Sequence, residues 1–183
     1  MGLEQAGALA KRFAKKNFDH VYSSDLGRAW QTAQALTECH QLTIQEEPAL
    51  RERCMGVFQG RTSTEITDAY AESWKLFLER DPDYQMPEGE SINDVLKRAH
   101  GFLDRIAREH QGQSIAAVTH GGWIRVLIKD LLGLEQRRAA PFKVFNTSVH
   151  HLRLVDGKWW VFSMGDVAHL DERLLRTSTP YVL

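Results

Sequence analysis

Three short stretches carry side chains whose types and spacing suit chemistry on an anion. In "SIAAVTHGGWIRVLI" (Ser114–Ile128) an apolar run turns on His120, Gly121 and Gly122, then resumes at helical spacing. That junction puts an imidazole beyond the carboxyl end of a strand, where α/β sheets bind ligands. Gly121 lets backbone N–H groups approach a ligand closely, and the start of a helix favours negative charge. The competing reading is a turn with a solvated histidine. In "VYSSDLGRAWQTA" (Val21–Ala33) Arg28 falls in the first turn of a helix that follows a strand. Its planar fork suits a phosphate and adds to the positive end of the helix dipole. An exposed arginine on an ordinary amphipathic helix is the plainer alternative. In "LRERCMGVFQG" (Leu50–Gly60) Glu52 stands between Arg51 and Arg53 in a glycine-bounded loop. A carboxyl held beside a bound anion retains its proton more readily and can act as general acid toward a leaving alkoxide. A surface charge cluster would look the same in isolation.

The elements that must position these residues are legible as periodicity. Apolar positions at helical spacing predict a helix over about 3–16, and "FDHVYSS" (Phe18–Ser24) reads as a short strand. "DLGRAWQTAQALTE" (Asp25–Glu38) is then helical, with Ser24 or Asp25 as its expected N-cap. Residues 42–60 are expected to be extended or irregular, and residues from about 63 to 80 to form one or two polar helices. After a Pro/Gly-rich loop, Ser91 and Asp94 open a long helix in capping-box style, with Ile92, Val95, Leu96, Ala99, Phe102, Leu103 and Ile106 as its apolar stripe. "SIAAVT" reads as a buried strand and "WIRVLIKDLLG" as a helix closed by Gly133. "FKVFNTSVHHLRLV" (142–155) and "KWWVFSM" (158–164) flank Asp156-Gly157, a hairpin signal. The tail after Asp171 predicts nothing. The expected fold is therefore a single three-layer α/β domain over 1–183, a mainly parallel sheet flanked by helices with an antiparallel hairpin near the C-terminus.

"VYSSDLGRAWQTA", "LRERCMGVFQG", "PEGESINDVLKR" and "AVTHGGWIRVL", in that order, resemble the histidine phosphatase superfamily, the cofactor-dependent phosphoglycerate mutase-like fold. The resemblance runs from Leu3 to about Val155. It implies that Arg28, His120 and the Gly121 amide bind a phosphate, that Glu52 donates and accepts the proton, and that His120 stabilises the transferring phosphoryl group. It further implies a metal-independent phosphatase acting on a small phosphomonoester through a phosphohistidine, with a phosphoglycerate mutase as one alternative and a non-catalytic phosphate-binding fragment as the other. Gln59 stands where many relatives carry glutamate before the glycine. The segment 61–90 is expected to cap the site. Its Tyr70, Trp74, Phe77 and Tyr84 either contact substrate or, more in keeping with aromatic burial, pack a small subsidiary core.

The family's nucleophilic histidine lies in an Arg-His-Gly motif at the end of a first, central strand. The eight histidines here, at 20, 40, 100, 110, 120, 150, 151 and 169, include none in that motif. The expectation is that Met1 is an internal methionine of a longer protein, and that the sheet lacks its first central strand. Missing a central strand leaves N–H and C=O groups unpaired on both neighbours. The gap then closes, takes a strand from another copy in a homo-oligomer, or leaves the fold marginal. His20 falls at the start of a strand, the wrong end for catalysis, and the pair His150-His151 points to opposite faces, so it cannot chelate one metal. The implied partner is a small phosphorylated metabolite or inorganic phosphate. A net charge of −1 gives no general drive toward nucleic acid or an anionic membrane. Cys39 and Cys54 make no disulfide framework and no zinc spacing, no run spans a bilayer, and no signal peptide is legible, so the expected setting is cytoplasmic. No cofactor and no metal are implied.

Overall fold

In the computed structural model, which describes residues 1–38 and 40–176, the chain begins with helix α1 (Gly2–Phe13) and strand β1 (His20–Ser23). Cys39 and the tail beyond residue 176 lie outside the described residues. Helix α2 (Gly27–Thr37) and strand β2 (Ile44–Glu46) follow, then helices α3 (Ser63–Leu78) and α4 (Ile92–Glu109), strand β3 (Ile115–Val118) and helix α5 (Gly121–Leu131). Strands β4 (Val149–Val155) and β5 (Lys158–Asp166) and a short α6 (Glu172–Arg176) complete it. Strand β1 lies between β2 and β3, parallel to both. Parallel strands covered on both faces need apolar side chains on both, and β1 supplies Val21 and Tyr22, both buried. Tyr22 faces the larger core, built with Leu50, the α4 stripe and Trp123 and Leu127 of α5. By alternation Val21 faces the opposite layer, where α1 and α2 pack together through Leu9, Ala10, Ala33 and Leu36.

Helix α4 is the most fully specified element. Ser91 Oγ accepts from Asp94 N at 3.0 Å while Asp94 accepts from Ser91 N at 2.8 Å, the expected capping box. Its buried face is Ile92, Val95, Ala99, Phe102, Leu103 and Ile106. Helix α2 departs from expectation. Its N-cap is Leu26, with no side-chain cap, because Ser24 turns to His120 and Asp25 to Arg51. The strand expected from Phe142 starts only at Val149. Ser148 bonds back to both N–H and C=O of Phe145, and Thr147 sits at φ 56°, which ends extended pairing before it.

The hairpin β4–β5 forms a separate antiparallel sheet. Among the described residues, neither the free edge of β3 nor that of β4 pairs with another strand. Both edges line one cavity of about 840 Å³, roofed and floored by residues of α1, α2, α4 and α5. Among the described residues the β4–β5 hairpin does not pair with β3 across that cavity. No helix among the described residues is long and apolar enough to cross a membrane.

Candidate active site

Parallel register brings the three chemical stretches to one end of the sheet. Ser23 aligns with Val118 on one side and Glu46 on the other, so Ser24, His120 and the loop after β2 all emerge at the carboxyl ends of their strands. Arg28, Glu52, His120 and Gly121 all line the cavity at that end. The grouping expected from sequence is thus brought together in space.

His120 is the N-cap of α5, 5% exposed, and its Nε2 lies 2.8 Å from Ser24 Oγ. Burial, then the nearby charges of Arg28 and Arg98, push its pKa down to about 4, against a smaller opposing pull from Asp25. The imidazole is neutral at pH 7 and carries one N–H. The Arg28 guanidinium makes no hydrogen bond or ion pair among the described residues. An uncommitted cation beside a neutral buried imidazole is an arrangement suited to an anion. The Gly121 amide likewise has no acceptor among the described residues.

Glu52 is held by main-chain donors. Its Oε1 accepts from Trp123 N at 3.1 Å and from Arg53 N at 3.0 Å, and its Oε2 from Gly122 N at 3.1 Å. Two of these donors are otherwise unsatisfied amides at the start of α5, where a carboxylate is favoured. A Cβ on Gly122 would stand 2.5 Å from Glu52 Oε1, so any larger residue here has to displace the Glu52 carboxylate from these amides. Behind Glu52, Arg98 acts as a brace. Its Nε and Nη2 reach the two carboxylate oxygens of Glu90 at 2.9 and 3.1 Å, Nη1 donates to Ala49 O at 2.7 Å, and Nη2 reaches Glu52 O at 3.3 Å. Glu90 in turn accepts from Cys54 N at 2.9 Å, and Trp123 Nε1 and Thr119 Oγ1 donate to Ala49 O and Leu50 O. At Gly56, φ +50° and a Pro87 carbonyl that would lie 2.0 Å from any Cβ press the two loops together.

Sequence reasoning missed Ser24, Glu90 and Arg98 as parts of this assembly. Ser24 looked like a helix cap, and Glu90 and Arg98 like charges within a loop and a helix face. Only the capping box between them hinted that this junction was tightly built. Tyr70, Trp74, Phe77 and Tyr84 do not line the cavity. They pack around Phe58, Ile66 and Met86 as a small second cluster, with α3 kinked at Tyr70. His20 sits at the amino end of β1 with its ring tilted against His110, 4.1 Å between centroids, at the opposite end of the strand from this chemistry. His150 is half-buried and His151 exposed, on opposite faces of β4.

Fold and site together define a class: a mainly parallel α/β protein that gathers imidazole, guanidinium and carboxyl groups at the carboxyl ends of its strands. The chain belongs to the histidine phosphatase superfamily, branch 1, whose family pattern matches residues 1–167. It is 39% identical over 180 residues to phosphoglycerate mutase-like protein 4 of Arabidopsis thaliana, a match covering 93% of this chain and 75% of that protein. It is 32% identical over 176 residues to the probable phosphoglycerate mutase GpmB of Yersinia pestis, covering 93% and 82%. Among solved structures, YhfR of Bacillus stearothermophilus superposes with a TM-score of 0.85 at 27% identity, covering 91% of this chain and 83% of that one. The mycobacterial glucosyl-3-phosphoglycerate phosphatase Rv2419c, in complex with inorganic phosphate, superposes at 0.78 and 26% identity, covering 92% and 87%.

Proposed function

We propose that this chain carries the phosphate-binding and proton-transfer half of a metal-independent phosphomonoesterase. The uncommitted Arg28 guanidinium beside the neutral, buried His120 carries the reading. Arg28 takes two phosphate oxygens, His120 donates its one N–H, and the Gly121 amide donates a third bond at the positive end of α5. The protonated form of Glu52 gives its proton to the leaving alkoxide as the P–O bond breaks, leaving the carboxylate that the α5 amides hold. It then takes one from the water that releases the phosphoryl group as inorganic phosphate. The named relatives support phosphoryl chemistry on small phosphorylated metabolites. Glucosyl-3-phosphoglycerate phosphatase is one such enzyme by its name.

The covalent step requires a nucleophile that the 183 residues do not supply in an Arg-His-Gly motif. We assign that role to an extended segment entering the slot between β3 and β4. Both free edges can pair with such a strand, and its carboxyl end would arrive beside Arg28 and His120. A second copy of the chain brings no Arg-His-Gly either, so a separate segment carrying that motif has to supply the nucleophile. The test is hydrolysis of p-nitrophenyl phosphate by the 183-residue chain, alone and with a synthetic β-forming peptide ending in Arg-His-Gly. Turnover that needs the peptide and disappears in His120→Ala is the expected result. Failure of the parent chain to bind inorganic phosphate, together with no turnover under either condition, overturns the reading.

A further inference from the structure

The hydrogen bond between Ser24 and His120 can be assigned a direction. Ser24 is fully buried at the end of β1. Its Oγ already accepts a bond, from Leu26 N at 3.3 Å. Its hydroxyl hydrogen still needs an acceptor, and among the described residues the one within reach of Oγ is His120 Nε2 at 2.8 Å. The reverse arrangement, with Nε2–H donating to Ser24 Oγ, strands a buried O–H with no partner. A stranded buried donor of that kind is disfavoured. The neighbouring groups do not relieve it, because Ser23 Oγ donates to Ser24 O at 2.9 Å and Ser24 N donates to Val118 O.

We propose that Ser24 is a positioning residue that donates its hydroxyl hydrogen to His120 Nε2 and so fixes the imidazole as the Nδ1–H tautomer. A neutral imidazole holds a single proton, so a bond that occupies Nε2 as acceptor sends that proton to Nδ1. Nδ1 has no partner among the described residues, and the ring lines the cavity beside Arg28. The imidazole is thus set as a donor toward the cavity. With Nε2 protonated instead, the nitrogen left toward the cavity would be a lone pair, which repels a phosphate oxygen. A hydroxyl two hydrogen bonds away from the ligand thereby decides whether His120 attracts or repels it. The tautomer claim stands on the geometry alone; its consequence for phosphate rests on the function proposed above.

The experiment is long-range 1H–15N correlation of histidine side chains in the full 183-residue chain at pH 7, with His120 assigned by its loss in His120→Gln. The expected spectrum gives His120 one donor-type nitrogen at Nδ1 and one acceptor-type nitrogen at Nε2. Ser24→Ala shifts the ring toward the Nε2–H form or a mixture, and Ser24→Thr, which keeps the hydroxyl, restores the parent pattern. Inorganic phosphate, titrated in parallel, binds Ser24→Ala about 5- to 20-fold more weakly, the loss of one charge-assisted hydrogen bond. A parent spectrum showing Nε2–H, or a doubly protonated ring, overturns the assignment even where Ser24→Ala fails to fold. So does a folded Ser24→Ala with an unchanged tautomer. An Nδ1–H parent that binds no phosphate sustains the role of Ser24 and overturns the phosphate-binding reading instead.

Discussion

Replacing Gly122 by alanine tests whether Glu52 is seated where the α5 amides hold it. The added Cβ would lie 2.5 Å from Oε1, 3.1 Å from Cδ and 3.3 Å from Oε2 of Glu52. Ordinary contacts begin near 3.5 Å, so the carboxylate must retreat by about 1 Å. The bonds from Gly122 N and Trp123 N, both 3.1 Å long, then stretch past any useful length. Hydrogen bonds to a charged group contribute about 1.5–3 kcal/mol each. Two effects offset that loss. The freed amides border a cavity that admits water, and alanine in a helix returns up to about 1 kcal/mol relative to glycine. The net expectation is a loss of about 1–3 kcal/mol in urea unfolding at pH 7, or a fall in Tm of roughly 3–10 °C for a chain of this length. Gly101→Ala is the control. Gly101 lies within α4 with nothing within 4 Å of a Cβ, so it should hold or gain stability. The decisive arm is a double-mutant cycle. Glu52→Ala removes the obstructing carboxylate, so adding Gly122→Ala to it should cost nothing further. Equal stability of Gly122→Ala and Gly101→Ala, or simple additivity with Glu52→Ala, refutes the seating described here.

Two further outcomes follow from the same geometry. Burial pushes both His120 and His150 down to about pH 4 for protonation, against 6.5 unperturbed. The unfolded chain therefore takes up protons first as pH falls, so stability is full above about pH 6.5 and declines toward pH 4, by up to about 3 kcal/mol per ring at ~1.4 kcal/mol per pH unit. Urea midpoints at pH 7, 5.5 and 4.5 check this, and a flat profile across that window contradicts it. Arg98→Met removes the brace linking Glu90, Ala49 and the Glu52 carbonyl. It should cost about 2–4 kcal/mol, whereas Arg138→Met, at an exposed pair with Glu135, should stay within about 0.5 kcal/mol. Equal effects from the two substitutions would show that the Arg98 contacts do not hold the loop.

How much of this was legible in the sequence depended on whether one segment or several specified each feature. Helix α4 was readable because its capping box and its stripe from Ile92 to Ile106 agree within a single segment. The start of α2 was misread because the two residues with capping chemistry, Ser24 and Asp25, are drawn to His120 and Arg51 by tertiary contacts. No local pattern reports such competition. The strand before β4 was overextended for a similar reason. Residues 142–148 have strand-like composition, yet Ser148 folds back on Phe145 and Thr147 takes a positive φ. Arg28, Glu52 and His120 were legible as types placed beside strand ends. The Glu90–Arg98 brace was not, because its partners stand 8 residues apart across the end of a helix, and their bonds run to main-chain atoms of a third segment.

The parallel register of β1 is what brings the separated motifs to one end of the sheet. Ser23 pairs with Val118, so one residue further along each strand the chain leaves the sheet as Ser24 and Thr119. His120 then follows as the N-cap of α5, and its ring meets the Ser24 hydroxyl across the strand ends. Ser23 also pairs with Glu46, which starts the loop that delivers Leu50 to Thr119 and Glu52 to the α5 amides. A slip of one residue between β1 and β3 would turn Tyr22 out of the core and move Ser24 about 3.3 Å along the sheet, beyond reach of Nε2. The buried face of β1 and the position of the His120 ring are therefore fixed by the same pairing. Tyr22 and Val21 anchor that pairing by burial on opposite faces, and Ser24 and His120 inherit their placement from them.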